Sequence, residues 1–318
     1  MTLLQQIEGH WTNQADGIAA KWAKKLKDNE DTVRESAKKF HEWHPLHVYL
    51  SVTRAMNASI SFSLRYQGQE VASLSVNGDD VHLVISSKTA ENNKKYFGII
   101  NKPGEFLWRG KDAAEFRKQF KNPNRLNGKG RVPEHRVESE FLKQMADDTS
   151  GKFAGTLKNI QPVLWAGCPF QFPLPISGNT GVPKPGKGNI DILARRRSGK
   201  EARISIWELK KPGTTAHAIE QAYIYSVTLI KMLRSKPWGD FWYKNIIGFK
   251  RDVPDKLSIE SVVAVCIKSE RQRSAFTSKL QKFKVDNSLQ VGKEKDTIKL
   301  YVAYYQEGPP MVVDMQEI

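Results

Sequence analysis

Two apolar segments of alternating character, residues 189–197 (NIDILARRR) and 203–210 (RISIWELK), constrain the fold of this chain more than any other feature. Their period-two pattern predicts two β-strands, and the short basic connection predicts an antiparallel hairpin. Asp191 lies inside the first strand, and Glu208 and Lys210 lie two residues apart on the second. Alternation places Glu208 and Lys210 on one face. The hairpin is therefore expected to bring Asp191 close to both.

Charged side chains in apolar strands are costly to bury unless they are paired or bind a metal ion. Two convergent carboxylates suit a hard divalent cation such as Mg²⁺, which takes oxygen ligands and retains several waters. Such an ion polarises a phosphate and lowers the pKa of a bound water, and Lys210 could orient or help deprotonate that water. The alternative is a buried ion pair of Lys210 with Asp191 or Glu208 that has no chemical role. The spacing alone does not separate the two, because these residue types are common.

The segment after the second strand, about residues 214–234, is predicted to be a helix that carries two further polar groups. Gln221 and Tyr225 are four residues apart and therefore share one helix face. From there they could reach a phosphate or a metal-bound water. The alternative is an ordinary amphipathic helix with Tyr225 in the core.

A helix predicted over residues 135–147 adds a third acidic candidate. At about 100° per residue, Glu138 falls near the middle of an apolar stripe, whereas Glu140 falls on the far, solvent-facing side. The stripe consists of Val137, Phe141, Leu142 and Met145. A carboxylate on that stripe needs a partner, which a metal ion or the Lys210 ammonium would supply. A nearby arginine is the competing partner.

The order of predicted elements indicates a chain of the α/β (α+β) class with two domains, residues 1–130 and 131–318. The first has a helical start over residues 2–43, then a run of alternating segments typical of an antiparallel meander, and a helix over 111–121. The boundary is placed in the Gly-, Pro- and Asn-rich segment NPNRLNGKGRVP. The second domain is expected to contain, besides the elements above, a strand within 162–173, a mobile loop over 174–188, strands at 260–267 and 297–305, and a helix at 270–284.

The net charge of +16 favours a polyanionic partner, either a nucleic acid or an anionic membrane surface. Solubility alone is the other explanation of the charge. The first residues, MTLLQQIEGHW, lack the features of a signal peptide, and no apolar run approaches the roughly 20 residues of a membrane helix. The two cysteines have no metal-ligand spacing and make no disulfide framework. A soluble protein of the reducing cytoplasm, without a membrane partner, is therefore expected.

Taken together, these residues resemble the PD-(D/E)XK nuclease superfamily. The likeness covers about residues 133–305 and consists of Glu138 on the first helix, Ile-Asp191, Glu208-Leu209-Lys210 and the Gln221-x-x-x-Tyr225 pair. The last pair is similar to the RecB-type branch. Ile190 stands where the family usually has proline, and Lys211 follows Lys210 as a second lysine, although alternation favours Lys210.

The resemblance implies a central mixed sheet flanked by helices, in the order αβββαβ. It implies that Mg²⁺ or Mn²⁺ is bound by Asp191, Glu208 and the Leu209 backbone carbonyl, with Glu138 as a further acidic ligand. Lys210 would activate the water, with Gln221 and Tyr225 completing the catalytic set. The reaction implied is hydrolysis of a phosphodiester bond that leaves a 5′-phosphate.

We therefore expect a metal-dependent deoxyribonuclease, an endonuclease of restriction or anti-phage defence, whose residues 1–130 bind DNA, recognise a partner or mediate self-assembly. Shedu-like defence nucleases have a similar layout. Two-strand cleavage often needs two active sites, which makes a homodimer or homotetramer one expectation. Alternatives are a non-catalytic DNA-binding protein with a degenerate nuclease fold, a repair or recombination nuclease, and an enzyme that cuts RNA. Alanine at Asp191, Glu208 or Lys210 is expected to abolish cleavage and leave the fold intact.

Overall fold

A computed structural model of the chain describes residues 1–40, 44–52, 60–121, 133–147, 159–198, 201–306 and 311–318. The chain forms two compact units, and neither is a continuous segment. Unit 1 comprises Met1–Lys27, Glu140–Leu164 and Gln171–Ile318, and unit 2 comprises Asp28–Ser139 and Trp165–Phe170. The first 27 residues therefore group with the C-terminal part of the chain rather than with residues 28–130. The segment that we chose as the boundary lies largely outside the described residues.

The elements are of mixed type, which confirms the predicted combination of helices and strands. The α-helices are α1 (Leu3–His10), α2 (Asp16–Asp28), α3 (Glu30–Lys38), α4 (Ser87–Phe97), α5 (Lys111–Lys121), α6 (Pro133–Asp147), α7 (Ala218–Arg234), α8 (Gly239–Phe241) and α9 (Glu270–Asp286). Short π-helical turns occur at Trp11–Ala15 and Trp242–Ile246.

The strands of the first half of the chain are β1 (Leu46–Val52), β2 (Ile60–Tyr66), β3 (Gln69–Asn77), β4 (Asp80–Ile85), β5 (Gly104–Leu107), β6 (Ile160–Pro162), β7 (Leu164–Trp165) and β8 (Cys168–Gln171). Those of the second half are β9 (Pro173–Ser177), β10 (Lys184–Asn189), β11 (Ile192–Ser198), β12 (Glu201–Leu209), β13 (Ser258–Val265), β14 (Gln290–Val291), β15 (Asp296–Gln306) and β16 (Met311–Glu317).

Most of unit 2 is one sheet with the strand order β5-β4-β3-β2-β1-β8-β7. Its first strands form the predicted antiparallel meander, because tight turns at Gln67-Gly68 and Gly78-Asp79 reverse the chain. Helices α4 and α5 contribute Phe97 and Phe120 to an aromatic cluster around Tyr66. The alternation of apolar and polar residues along these strands thus directs the apolar side chains to one face of the sheet, which packs against the core.

Unit 1 contains a mixed sheet with the order β14-β15-β13-β12-β11-β6, and β16 pairs with β15. Strands β11 and β12 are antiparallel, whereas β12, β13 and β15 run parallel to one another. Phe141 of α6 packs edge-on against Trp207 and Tyr305 on one face. The opposite face carries the apolar residues that pack against the first turns of α7 and against α9. The sheet is therefore covered by helices on both faces.

Two segments of unit 1 differ from our predictions. The proline-punctuated run 162–173 is not one strand, because it is divided among β6, β7, β8 and the first residue of β9. Residues 174–188, expected to be a mobile loop, instead supply most of an antiparallel hairpin of β9 and β10, with an irregularity between Pro185 and Gly188. The side chains of Leu174 and Ile176 in β9 are fully buried, and this burial explains why a segment rich in turn residues is ordered.

Among the described residues, no helix is both long enough and apolar enough to cross a membrane.

Candidate active site

The pairing of β11 with β12 places Asp191 at the end of β12. Ile192 is paired with Trp207, so Asp191, which immediately precedes β11, lies beside the next residues of β12. Its carboxylate accepts a hydrogen bond from the Leu209 backbone N–H at 2.8 Å. This contact, made by a half-buried aspartate at the point predicted for it, fixes the carboxylate against the strand that carries Glu208.

Glu208 and Lys210 form a buried ion pair at the carboxyl end of the central strands. The Lys210 ammonium donates to Oε1 of Glu208 at 2.7 Å. Glu208 is 1% exposed and Lys210 9% exposed. The Lys210 backbone is held on both sides, because its N–H donates to the Ala264 carbonyl and its carbonyl accepts from the Tyr305 hydroxyl. The pair is thus rigidly positioned by β13 and β15.

Helix α7 adds an amide to this pair. The side-chain carbonyl of Gln221 accepts a second hydrogen bond from the Lys210 ammonium at 2.9 Å, and the Gln221 amide nitrogen lies 3.4 Å from the Tyr225 hydroxyl. Both side chains are buried on the same helix face. The structure therefore brings together Asp191, Glu208, Lys210, Gln221 and Tyr225 in one unit.

Asn179, at the tip of the β9–β10 hairpin, belongs to the same cluster and was missed by our reading of the sequence. Its side-chain oxygen accepts from the Tyr225 hydroxyl at 2.7 Å and from the Gln221 amide at 3.3 Å. A signal was present in the turn Gly-Asn-Thr-Gly between the apolar run PLPIS and a basic segment, which is typical of a hairpin. A turn signal alone does not show on which helix the hairpin packs.

Close backbone contact holds the hairpin on α7. A Cβ added at Gly188 would lie 2.9 Å from the Tyr225 ring and 2.8 Å from the Ile176 carbonyl. A Cβ added at Gly178 would lie 3.2 Å from the Gln221 Cα. The two distances at Gly188 are too short for a real side chain, and the distance at Gly178 is tighter than most Cβ contacts. Glycine at these positions therefore allows the approach of hairpin and helix that brings Asn179 to its partners.

The surroundings of Tyr225 keep its hydroxyl protonated. Burial raises the pKa of the Tyr225 phenol well above its ordinary value, and the negative charges of Glu208 and Asp191 raise it further. Hydrogen bonds from Gln221 and from the Gly178 backbone act in the opposite direction with less effect. A protonated Tyr225 is a hydrogen-bond donor, which is consistent with its contact to Asn179.

Glu138 has a different set of partners. It is 5% exposed, as the helix phase predicts for the residue chosen over Glu140, which is half-buried. Its Oε1 lies 3.8 Å from a guanidinium nitrogen of Arg65, and its Oε2 lies 3.4 Å from His135 Nδ1. All three residues belong to unit 2. These contacts are those of the alternative in which an arginine neutralises Glu138, and a role for Glu138 as a metal ligand stays a prediction.

A search of the described part of the chain for three or more clustered His, Cys, Asp or Glu side chains that could hold a metal finds none. Asp191, Glu208 and Glu138, the three predicted acidic ligands, therefore do not form such a group. The set of Asp191, Glu208 and the Leu209 carbonyl is of another kind, since it combines two carboxylates with a backbone carbonyl. Neither family models, nor curated proteins, nor solved structures provide a match to this chain.

Proposed function

We propose that this chain is a Mg²⁺-dependent deoxyribonuclease of the PD-(D/E)XK type. The observation that carries the proposal is the continuous set of contacts from Glu208 through Lys210 and Gln221 to Tyr225, next to an Asp191 carboxylate bound at Leu209.

The topology of unit 1 supports the same proposal. In chain order, helix α6 is followed by the antiparallel strands β6, β11 and β12, then by helix α7 and the parallel strand β13. That is the order αβββαβ implied by the resemblance, with strands β7 to β10 inserted between β6 and β11. The candidate residues lie where β11 begins and β12 ends, which is the position that the proposal requires.

The residues present fit a hard divalent cation. Asp191 and Glu208 offer carboxylate oxygens and Leu209 offers a backbone carbonyl, and Mg²⁺ typically binds to one or two carboxylates together with waters and substrate phosphate. When bound, the ion polarises the scissile phosphate and lowers the pKa of a water. We propose these three residues as the groups that hold it, with Mn²⁺ as an alternative ion.

Within this proposal, Lys210 positions the attacking water. Its ammonium is held between the Glu208 carboxylate and the Gln221 carbonyl at 2.7 and 2.9 Å, so its direction is determined by two acceptors. An ammonium oriented at the end of a buried strand can donate a hydrogen bond to a water, and its positive charge favours loss of that water's proton to another base. Gln221 orients Lys210, and Tyr225 and Asn179 orient Gln221.

We further propose DNA as the substrate and an endonuclease of restriction or anti-phage defence as the biological setting. The net charge of +16 supports a polyanionic substrate. Unit 2 would supply DNA binding, partner recognition or self-assembly, and assembly as a dimer or tetramer would provide two active sites for two strands. A repair or recombination nuclease would use the same site.

One observation favours a second candidate, a non-catalytic DNA-binding protein. The Glu208 carboxylate is buried and paired with Lys210, which is also what a purely structural ion pair would show. The two candidates differ in cleavage and not in DNA binding.

The deciding experiment is the nicking of supercoiled plasmid, methylated and unmethylated, in Mg²⁺ and in EDTA, with a single-stranded RNA of mixed sequence as a parallel substrate. We expect nicking in Mg²⁺ that EDTA abolishes, and its loss in Asp191→Asn and Glu208→Gln. Glu220→Gln, a half-buried carboxylate in the first turn of α7, is the matched control and should cut as the wild type does. Binding without nicking would support the second candidate, and cleavage of RNA alone would exclude DNA as the substrate.

A further inference from the structure

A second concave feature of unit 1 lies outside the cluster described above. It is a cavity of about 250 Å³. Its walls are formed by Gly213, Thr214, Thr215, Cys266, Ile267, Gln272, Ala275, Phe276 and Lys279. The first three residues follow β12, the next two follow β13, and the remainder belong to α9.

This cavity lies at the carboxyl ends of two neighbouring parallel strands. Leu209 at the end of β12 is paired with Ala264 near the end of β13. The segments that follow these two strands form part of the cavity wall. In open sheets with helices on their faces, ligands bind in the crevice outside the carboxyl ends of the strands. The candidate residues Glu208 and Lys210 lie at the same end of β12, so the cavity and the cluster share one edge of the sheet.

The lining of the cavity suits a phosphate and its sugar. It contains one ammonium (Lys279), two half-buried hydroxyls (Thr214 and Thr215) and one exposed amide (Gln272). Asp and Glu are absent from the nine lining residues. Hydroxyl, amide and lysine side chains are the groups that proteins commonly place on the phosphates and sugars of nucleic acids.

Helix α9 continues the positive charge beyond the cavity. At about 100° per residue, the exposed side chains of Arg271, Lys279 and Lys282 fall within about 80° of arc, and Lys279 at one edge of that arc lines the cavity. The exposed Asp286 falls in the same arc, one turn beyond Lys282. Small Ala275 lies between them and is itself exposed. Phe276 and Leu280 occupy the buried side of the helix. The result is a basic stripe over Arg271–Lys282 that adjoins the cavity wall at Lys279 and ends before Asp286.

Two arginines of the β11–β12 hairpin, Arg195 and Arg196, are in contrast engaged within the protein. Arg195 donates to the Gly248 carbonyl at 2.9 Å, and Arg196 is bound to the buried Glu260 at 3.2 Å. These two arginines thus serve the packing of unit 1, and the α9 stripe is a better candidate than they are for contact with a long anion.

We propose that the cavity and the α9 stripe together bind the DNA backbone next to the phosphate that is cut. The proposal rests on the nuclease function proposed above and adds the direction in which the strand leaves the site. Lys210 and Gly213 are three residues apart, so the cavity begins within about 11 Å of the lysine along the chain. Phosphates of one DNA strand advance about 3.4 Å along the helix axis, so the next few phosphates reach the cavity.

The test is DNA binding by the intact protein in EDTA, where no cutting occurs, as a function of salt concentration. The probe is a fluorescent 30-base-pair duplex of mixed sequence, and the readout is its anisotropy. Lys279→Gln should reduce the slope of log K against log salt concentration by about 1, the loss of one phosphate contact. Lys284→Gln, on the same helix about 140° away, is the matched control, since its ammonium contacts the carbonyl of Ile318. We expect the control to bind as the wild type does.

Cleavage assays of the same two variants separate this proposal from the proposed function. If both hold, Lys279→Gln raises KM several-fold and leaves kcat unchanged, since a uniform binding contact has been removed. If the wild type cuts nothing but Lys279→Gln still lowers the salt slope, the proposed nuclease function is wrong, and DNA binding by the cavity and the α9 stripe is supported. The proposed DNA binding by the cavity and the α9 stripe is wrong if the wild type binds no DNA, whether or not DNA is cut. It is equally wrong if the salt slopes of the wild type, Lys279→Gln and Lys284→Gln are the same.

Discussion

At the scale of single residues, the feature that most affects experiments on the candidate site is the burial of Glu208 with its lysine. A buried carboxylate whose cation is removed is left as an uncompensated charge, and this typically costs more than the pair contributes. From the sequence alone we expected alanine at Lys210 to leave the fold intact. Because Lys210 neutralises the buried Glu208, we now expect its replacement to destabilise the fold. A double variant that also removes the charge of Glu208 is the better test.

We predict that Lys210→Met lowers the free energy of unfolding by about 3 kcal/mol, the loss seen when one partner of a buried pair is removed. The double variant Glu208→Gln/Lys210→Met should recover most of that loss, because no charge then remains buried. Chemical denaturation followed by circular dichroism measures both. Equal stability of Lys210→Met and the wild type would show that Glu208 is solvated or protonated in the folded protein.

Asn179 gives a second prediction, which depends on its use as an acceptor only. Its oxygen accepts hydrogen bonds from the Tyr225 hydroxyl and the Gln221 amide nitrogen, so the Gln221 side chain turns its own oxygen to Lys210. Asn179→Ala removes the acceptor and should lower kcat about tenfold, the equivalent of one hydrogen bond of about 1.4 kcal/mol, with KM unchanged. Asn179→Asp keeps an acceptor and should restore most of kcat. A loss of kcat that is the same in both variants would contradict an orienting role.

At the scale of elements, the strands and helices around the site were predictable because their hydrophobic periodicity is strong. The predicted strands at 189–197 and 203–210 correspond to β11 and β12, and the predicted helix to α7. The β9–β10 hairpin was not predicted, because its prolines and glycines resemble a loop and its order comes from burial against α7. The contact of Glu138 with Arg65 could not be predicted either, because the phase of a helix indicates which side chains are buried but not which residues they contact.

The hairpin leads to a third prediction. Gly188→Ala should destabilise the protein by about 1 to 3 kcal/mol, because the new Cβ would overlap the Tyr225 ring and the Ile176 carbonyl. Displacement of Tyr225 should also reduce cleavage. Gly17→Ala is the control, since that position is in helix α2 and has open space around it, and alanine there should stabilise the protein by up to about 1 kcal/mol. Similar stabilities for the two variants would show that the β9–β10 hairpin can shift to accommodate the new methyl group without loss of stability.

At the scale of the whole molecule, the order of the chain does not match the division of the fold. Residues 1–27 belong to the unit that holds the candidate site, although they precede the meander of unit 2. Within unit 1, Lys231 of α7 donates to Glu8 of α1 at 2.9 Å, and Ser235 donates to Asp16. Contacts with residues more than 200 positions away leave no local pattern in the sequence at the start of the chain. The predicted boundary at residue 130 therefore placed α1 and α2 with their sequence neighbours.

The last prediction concerns metal binding, measured by the stability of the molecule rather than by cutting. A ligand that binds only the folded state stabilises it by about 2.7 kcal/mol at one hundred times its Kd. Mg²⁺ should therefore raise the Tm of the wild type. Asp191→Asn should abolish the rise and leave the starting Tm close to that of the wild type, because asparagine retains an oxygen that can accept from the Leu209 N–H. Scanning calorimetry at constant ionic strength separates binding from screening of the +16 charge. An equal rise in both proteins would place Mg²⁺ elsewhere than at Asp191, and no rise in the wild type would remove the metal from the proposed mechanism.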